Sequence, residues 1–138
     1  MNTNEQVELG KLFFEDGIPG FSHLQFFQLI QEEDNPFFLI QSTEEKDVGF
    51  WVINPFSFFP NYQFTLPEVY KEALHMDDGS QVAVFSIVTI RGKQEATVNL
   101  KAPIVINLDN RMSKQVILQE DSYPIRQSLF AQPVAEQG

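Results

Sequence analysis

The chain of 138 residues has no cysteine. That excludes disulfides, thiol catalysis and thiolate zinc sites, and it fits a reducing cytosol. No run of 18 or more apolar residues occurs, so no membrane-spanning helix is expected. The first residues, MNTNEQVELG, lack a basic stretch followed by an apolar one, so no secretory signal is expected and the protein is expected to be cytoplasmic. Positive charge is scarce: nine Lys and Arg stand against nineteen Asp and Glu, a net charge of -10. Phosphate attraction needs clustered cations, so direct binding to nucleic acid or to anionic lipid is not expected. There are only two histidines, His23 and His75, each far in sequence from other ligand-type residues. The motifs GxSxG, HExxH, GxxxxGK[ST] and GxGxxG are all absent, so neither enzyme nor bound cofactor nor metal is expected.

What is present is a globular composition, 43% hydrophobic, in a chain of single-domain size. Turn signals recur at short spacing: Asp16-Gly17, Pro19-Gly20, Asn35-Pro36, Asn54-Pro55, Pro60-Asn61, Asp78-Gly79, Arg91-Gly92 and Asp109-Asn110. Between them lie short β-branched and aromatic runs. They predict strands over Val7–Phe14, Gln25–Ile30, Phe37–Ser42, Val48–Ile53, Val82–Ile90, Ala96–Leu100, Ile104–Leu108 and Lys114–Gln119. Many short strands at near-regular spacing indicate an all-β, mainly antiparallel, compact β-barrel-like domain over residues 1–130. A frayed tail is expected over residues 131–138. Val82–Ile90 is apolar on both faces and should be a central strand, and Pro103 should sit at a strand start. One short helix is expected around residues 66–75. Thr65 and Glu68 would form a capping box, and Leu66, Val69, Tyr70, Ala73 and Leu74 an apolar face.

Residues Asn54 to Pro67 read NPFSFFPNYQFTLP: no charge, four phenylalanines, one tyrosine and three prolines. Proline makes the stretch too broken for a helix, and its aromatic content makes it either core wall or a partner surface. The question centres on Phe56, Phe58 and Phe59. In an extended segment Phe56 and Phe58 would share one side and Phe59 the other, one side core and one a partner anchor.

The acidic charge is concentrated in residues 1–50, with ten acids against two bases. Two runs there, Glu32-Glu33-Asp34 and Glu44-Glu45-Lys46-Asp47, flank the apolar strand Phe37–Ser42. Adjacent acids in turns read more readily as solvated charge than as a hydrolytic pair. Bracketing an apolar strand, they suit a partner with an apolar centre and a basic rim.

Several short motifs occur in a fixed order. They are Gly17-Ile18-Pro19-Gly20-Phe21, Asn54-Pro55-Phe56 with Phe58-Phe59, Phe64-Thr65-Leu66-Pro67, and Asn99 to Asn107 (NLKAPIVIN). Arg111, Lys114 to Leu118, Tyr123, Arg126 and Leu129 follow. From about Phe13 to Leu129 this pattern resembles the flagellar assembly factor FliW family. One departure is that Glu15 follows Phe14 where family members carry Phe-Pro, after a short first segment.

The resemblance implies a non-enzymatic cytoplasmic regulator with a compact β-barrel-like fold. Family members bind flagellin before its export. The freed factor binds CsrA, a small RNA-binding dimer that represses flagellin translation, and antagonises it allosterically. The competing readings are a small-ligand-binding β-barrel or an enzyme with an unfamiliar site, and a structural subunit with a self-complementary surface.

Overall fold

The computed structural model describes residues 6–32, 35–92, 95–119 and 123–129. Among these described residues are nine strands and two short helices in the order β1 (Gln6–Phe14), β2 (Phe26–Glu32), β3 (Phe38–Ser42), β4 (Gly49–Ile53), α1 (Pro55–Phe58), α2 (Glu68–Ala73), β5 (Val82–Ile90), β6 (Ala96–Val98), β7 (Ile104–Asn107), β8 (Met112–Gln115) and β9 (Gln127–Ser128). Seven strands close into a barrel in the order β4-β3-β2-β1-β8-β7-β5, with β5 returning to β4. The β1–β8 contact is parallel and the other pairings are antiparallel. The expected all-β, barrel-like, mainly antiparallel class is the observed one. The tail 131–138 lies outside the described residues.

β5 organises the barrel. Its first half pairs with β7 (Val82↔Asn107 to Phe85↔Ile104), its centre with β4 (Val52↔Ile87, Ile53↔Ser86), and its last residues with β6 (Val88↔Val98 to Ile90↔Ala96). Successive side chains alternate between two apolar clusters. Phe85, with Ala83 and Ile87, joins an inner core of Leu12, Phe14, Phe27, Ile40, Val52 and Ile106. Val88, with Val84, joins an outer core of Ile53, Tyr62, Leu74, Val98, Val105 and Val116. The two-faced apolar pattern of Val82–Ile90 therefore marks a strand between two cores. Only residues at its two ends, Val82, Thr89 and Ile90, are exposed.

Three local expectations are corrected. α2 begins at Glu68, with Pro67 as N-cap and no side-chain cap bond, so the Thr65–Glu68 capping box does not form. Proline disfavours helical backbone in the residue before it, which holds Leu66 out of the helix. Of the proposed apolar helix face, Leu74 is buried while Val69 is exposed. Second, Asn54–Pro60 is not wholly irregular. Pro55 occupies the first turn of α1, where its missing N–H costs nothing, and Asn54 Oδ1 accepts from Phe56 N at 2.9 Å. Third, β8 runs Met112–Gln115 rather than Lys114–Gln119. Arg111, at φ 69°, closes the β7–β8 turn through Arg111 N donating to Asn107 O. Beyond Gln115, Val116 N donates to Pro103 O, but Pro103 has no N–H to return. As expected, Pro103 stands immediately before β7. The short β9 has no counterpart in the sequence reading.

Ser86 is fully buried on β5, and its hydroxyl has no hydrogen-bond partner. A buried polar group without a partner costs more than the apolar atom that could replace it. Ser86→Ala is therefore expected to raise unfolding free energy by about 1 kcal/mol. Urea denaturation checks this, and a loss of stability would contradict it.

Candidate functional site

The aromatic segment forms the lid of the outer core. Phe58, Phe59, Phe64, Leu66 and Tyr70 pack against it half-buried, and Tyr62 lies within it. Tyr62 donates its hydroxyl to Leu100 O at 2.8 Å. From the C-terminal segment, Tyr123 donates to Gln63 O at 2.6 Å and accepts from Gln63 N at 3.2 Å. The two tyrosine rings meet edge to face at 4.8 Å. These bonds satisfy an extended stretch that belongs to no ladder. Beside them runs a surface groove of about 300 Å³, lined by Phe58, Phe59, Tyr62, Leu100, Tyr123 and Gln127 among others.

Because Asn54–Phe59 turns as a helix, the strand alternation expected for Phe56 and Phe58 does not apply. Phe58 and Phe59 are both largely core wall. Phe56 is the outward ring, 43% exposed. It lies 5.5 Å from the Tyr62 ring and stacks on Phe64 at 6.4 Å. The exposed ring is thus held by its neighbours and needs little ordering to serve as an anchor.

The second acidic run lies in the β3–β4 hairpin. Ser42 Oγ accepts from the backbone N–H of Glu44 and Glu45, which fixes the turn. Glu44 is not merely solvated charge. Its Oε2 accepts from Gln25 N and Phe26 N, both at 2.8 Å, and so ties the hairpin to the start of β2. Glu45 lies 3.4 Å from His23 Nε2 with both side chains exposed, and Asp47 is exposed. Beside the hairpin, on the outer face of β2 and β3, a groove of about 410 Å³ is lined by Gln28, Ile30, Leu39, Gln41, Thr43 and Lys46 among others.

The other candidate acids, Glu32, Glu33 and Asp34, are not placed. Glu32 ends β2 but its side chain is not among those described, and Glu33 and Asp34 lie outside the described residues. The strand register sets the layout of the rest. Phe38 pairs with Val52, so the start of β3 lies beside the end of β4, which leads into α1. Glu44, Glu45 and Asp47 follow the far end of β3. The aromatic and acidic groups therefore occupy opposite ends of the barrel and do not form one constellation.

The backbone N–H bonds from Phe26 and Gln25, with a smaller contribution from His23, hold the Glu44 carboxyl below its ordinary value of 4.5. A carboxylate with a lowered folded-state pKa adds stability above its unfolded pKa and loses it as pH falls through the folded one. Glu44→Gln is thus expected to lower the melting temperature near neutral pH. The difference from wild type should shrink toward zero as pH falls through the lowered folded-state pKa of Glu44, below which both side chains are neutral. A gap that stays constant with pH would contradict this role.

The chain is similar to known proteins along almost its full length. The model of the FliW protein family matches residues 2–129. The flagellar assembly factor FliW of Caldicellulosiruptor saccharolyticus is 42% identical over 127 residues, covering 91% of this chain and 84% of that protein. The one from Anoxybacillus flavithermus is 40% identical over 133 residues, covering 96% and 92%. A crystal structure of the flagellar assembly factor FliW superposes with a TM-score of 0.85 at 41% identity, covering 90% of this chain and 88% of that one. With the barrel, its turns and this likeness in agreement, the chain belongs to the FliW family.

Proposed function

We propose that this protein is a non-enzymatic cytoplasmic regulator of flagellar assembly. In this reading it binds flagellin before export and, when free, binds CsrA and antagonises its repression of flagellin mRNA allosterically. Family membership over residues 2–129 carries the reading, because the relatives bear the name of flagellar assembly factor. The exposed carboxylates of Glu45 and Asp47 support the CsrA half. An RNA-binding partner presents basic surface, which they would attract. Held against CsrA, the negative field of a chain with net charge -10 would also repel RNA without occupying its site. Phe56 supports an apolar anchor at the other end of the barrel.

The small-ligand alternative finds less support. Leu12, Phe14, Phe27, Ile40, Ile104 and Ile106 take up the barrel interior where a ligand would sit.

Titration of the purified protein with purified CsrA and flagellin tests the reading. CsrA affinity is expected to fall at least about tenfold between low and high salt, and a flat salt response would remove the electrostatic part. Failure to bind either protein would remove the reading itself. Phe56→Ala should fold with wild-type stability to within about 1 kcal/mol, since the ring is half exposed. It should weaken one partner at least about fivefold. Unchanged binding of both would free Phe56 of the anchor role.

A further inference from the structure

Strand β1 is paired unequally along its two edges. Toward β2 the register runs from Gln6↔Glu32 to Phe13↔Phe26. Toward β8 it covers only Phe13↔Met112 and Phe14↔Ser113. Phe13 N donates to Arg111 O at 3.0 Å. By alternation, the N–H and C=O of Lys11 point out of that same edge. Among the described residues nothing pairs with them, because the chain turns away at Arg111.

Arg111 stands at this gap. A Cβ at Gly10 would lie 2.8 Å from Arg111 Nη1 and 2.9 Å from Cζ and Nη2, so the guanidinium lies against bare backbone. Gly10, at φ 123°, forms a bulge in β1. The Arg111 side chain is partly buried, yet among the described residues it has no hydrogen-bond or ion-pair partner. A guanidinium has five donors and no acceptor capacity. Withdrawing it partly from water with no partner is unfavourable. An incoming carboxylate would meet a preformed fork, bidentate and charge-assisted.

We propose that the open β1 edge and the Arg111 guanidinium together form a strand-addition site for an extended partner segment that carries a carboxylate. The Lys11 backbone groups would extend the sheet by one strand, and Arg111 would select the acid. The occupant is a partner rather than a second copy of this chain. Bulges and edge charges such as Glu8 and Lys11 are devices against self-pairing. Two chains of net charge -10 also repel one another.

The test titrates the full chain with two labelled peptides of roughly nine alternating threonines and valines, one with a central glutamate and one with glutamine, followed by fluorescence anisotropy. The glutamate peptide is expected to bind at least about fivefold tighter. Arg111→Gln should erase that preference. Lys11→Pro, which removes the edge N–H, should weaken both peptides at least about fivefold while melting within about 5 °C of wild type. If Arg111→Gln does not fold, Arg111→Lys keeps the charge without the fork and should reduce the preference. Equal affinity of the wild type for the two peptides would overturn the proposal. So would no binding of either by about 1 mM, or a folded Lys11→Pro that binds both as before. A wild-type dimer that Lys11→Pro dissolves would assign the edge to self-association instead.

Discussion

The structure depends on one strand with apolar side chains on both faces. β5 lies between the two cores, sending Phe85 to the inner one and Val88 to the outer one, with β7 and β4 alternating beside it in the same way. It also reaches three neighbours, β7, β4 and β6, along its length. Closing a barrel removes sheet edges, and β5 closes this one by returning to β4. The inner core is then complete. The outer face of β5 and β7 would be left as exposed apolar surface, and the rest of the chain is arranged to cover it.

The cover is the uncharged aromatic segment with its C-terminal partners. Its prolines and extended backbone keep it out of the sheet, so its polar backbone groups need other partners. Tyr123 supplies both bonds of Gln63, and Asn54 supplies one for α1. Of the segment's rings, Phe56 is left outside the core but stacked on Phe64. An exposed ring held by its neighbours loses little freedom on binding, which suits an anchor.

The acidic half of the molecule follows a different logic. Glu44 holds the β3–β4 hairpin to β2 through two backbone N–H groups, which leaves Glu45 and Asp47 as the outward charges. One carboxylate of the run is thus architectural, and the field is presented by its neighbours. On the proposed reading, an acidic end and an aromatic end on one barrel would let two partners be recognised by different chemistry. The cation at Arg111, isolated in a strongly acidic chain, adds a third kind of surface.

Strand existence was legible because period-two patterning and turn residues are local properties. Val82–Ile90, Phe37–Ser42 and Val48–Ile53 fall within a residue or two of the observed strands. The start of α2 and the limits of β8 were not legible, since Pro67 restricts the backbone of Leu66 and Pro103 has no N–H to return to β8. β9 was missed because two residues carry no period. The aromatic segment was recognised as special, but which ring faces out depended on α1 and on Tyr123, more than fifty residues away. The same holds for the Glu44 tie to Phe26 and for Arg111 against Gly10, whose residues are neighbours only after the barrel closes. The sequence by itself determined the all-β class, the family and the uneven charge, because composition and short-range pattern suffice for those. Tertiary structure alone decided which phenylalanine, which carboxylate and which cation remain available to a partner, because availability is what packing leaves over.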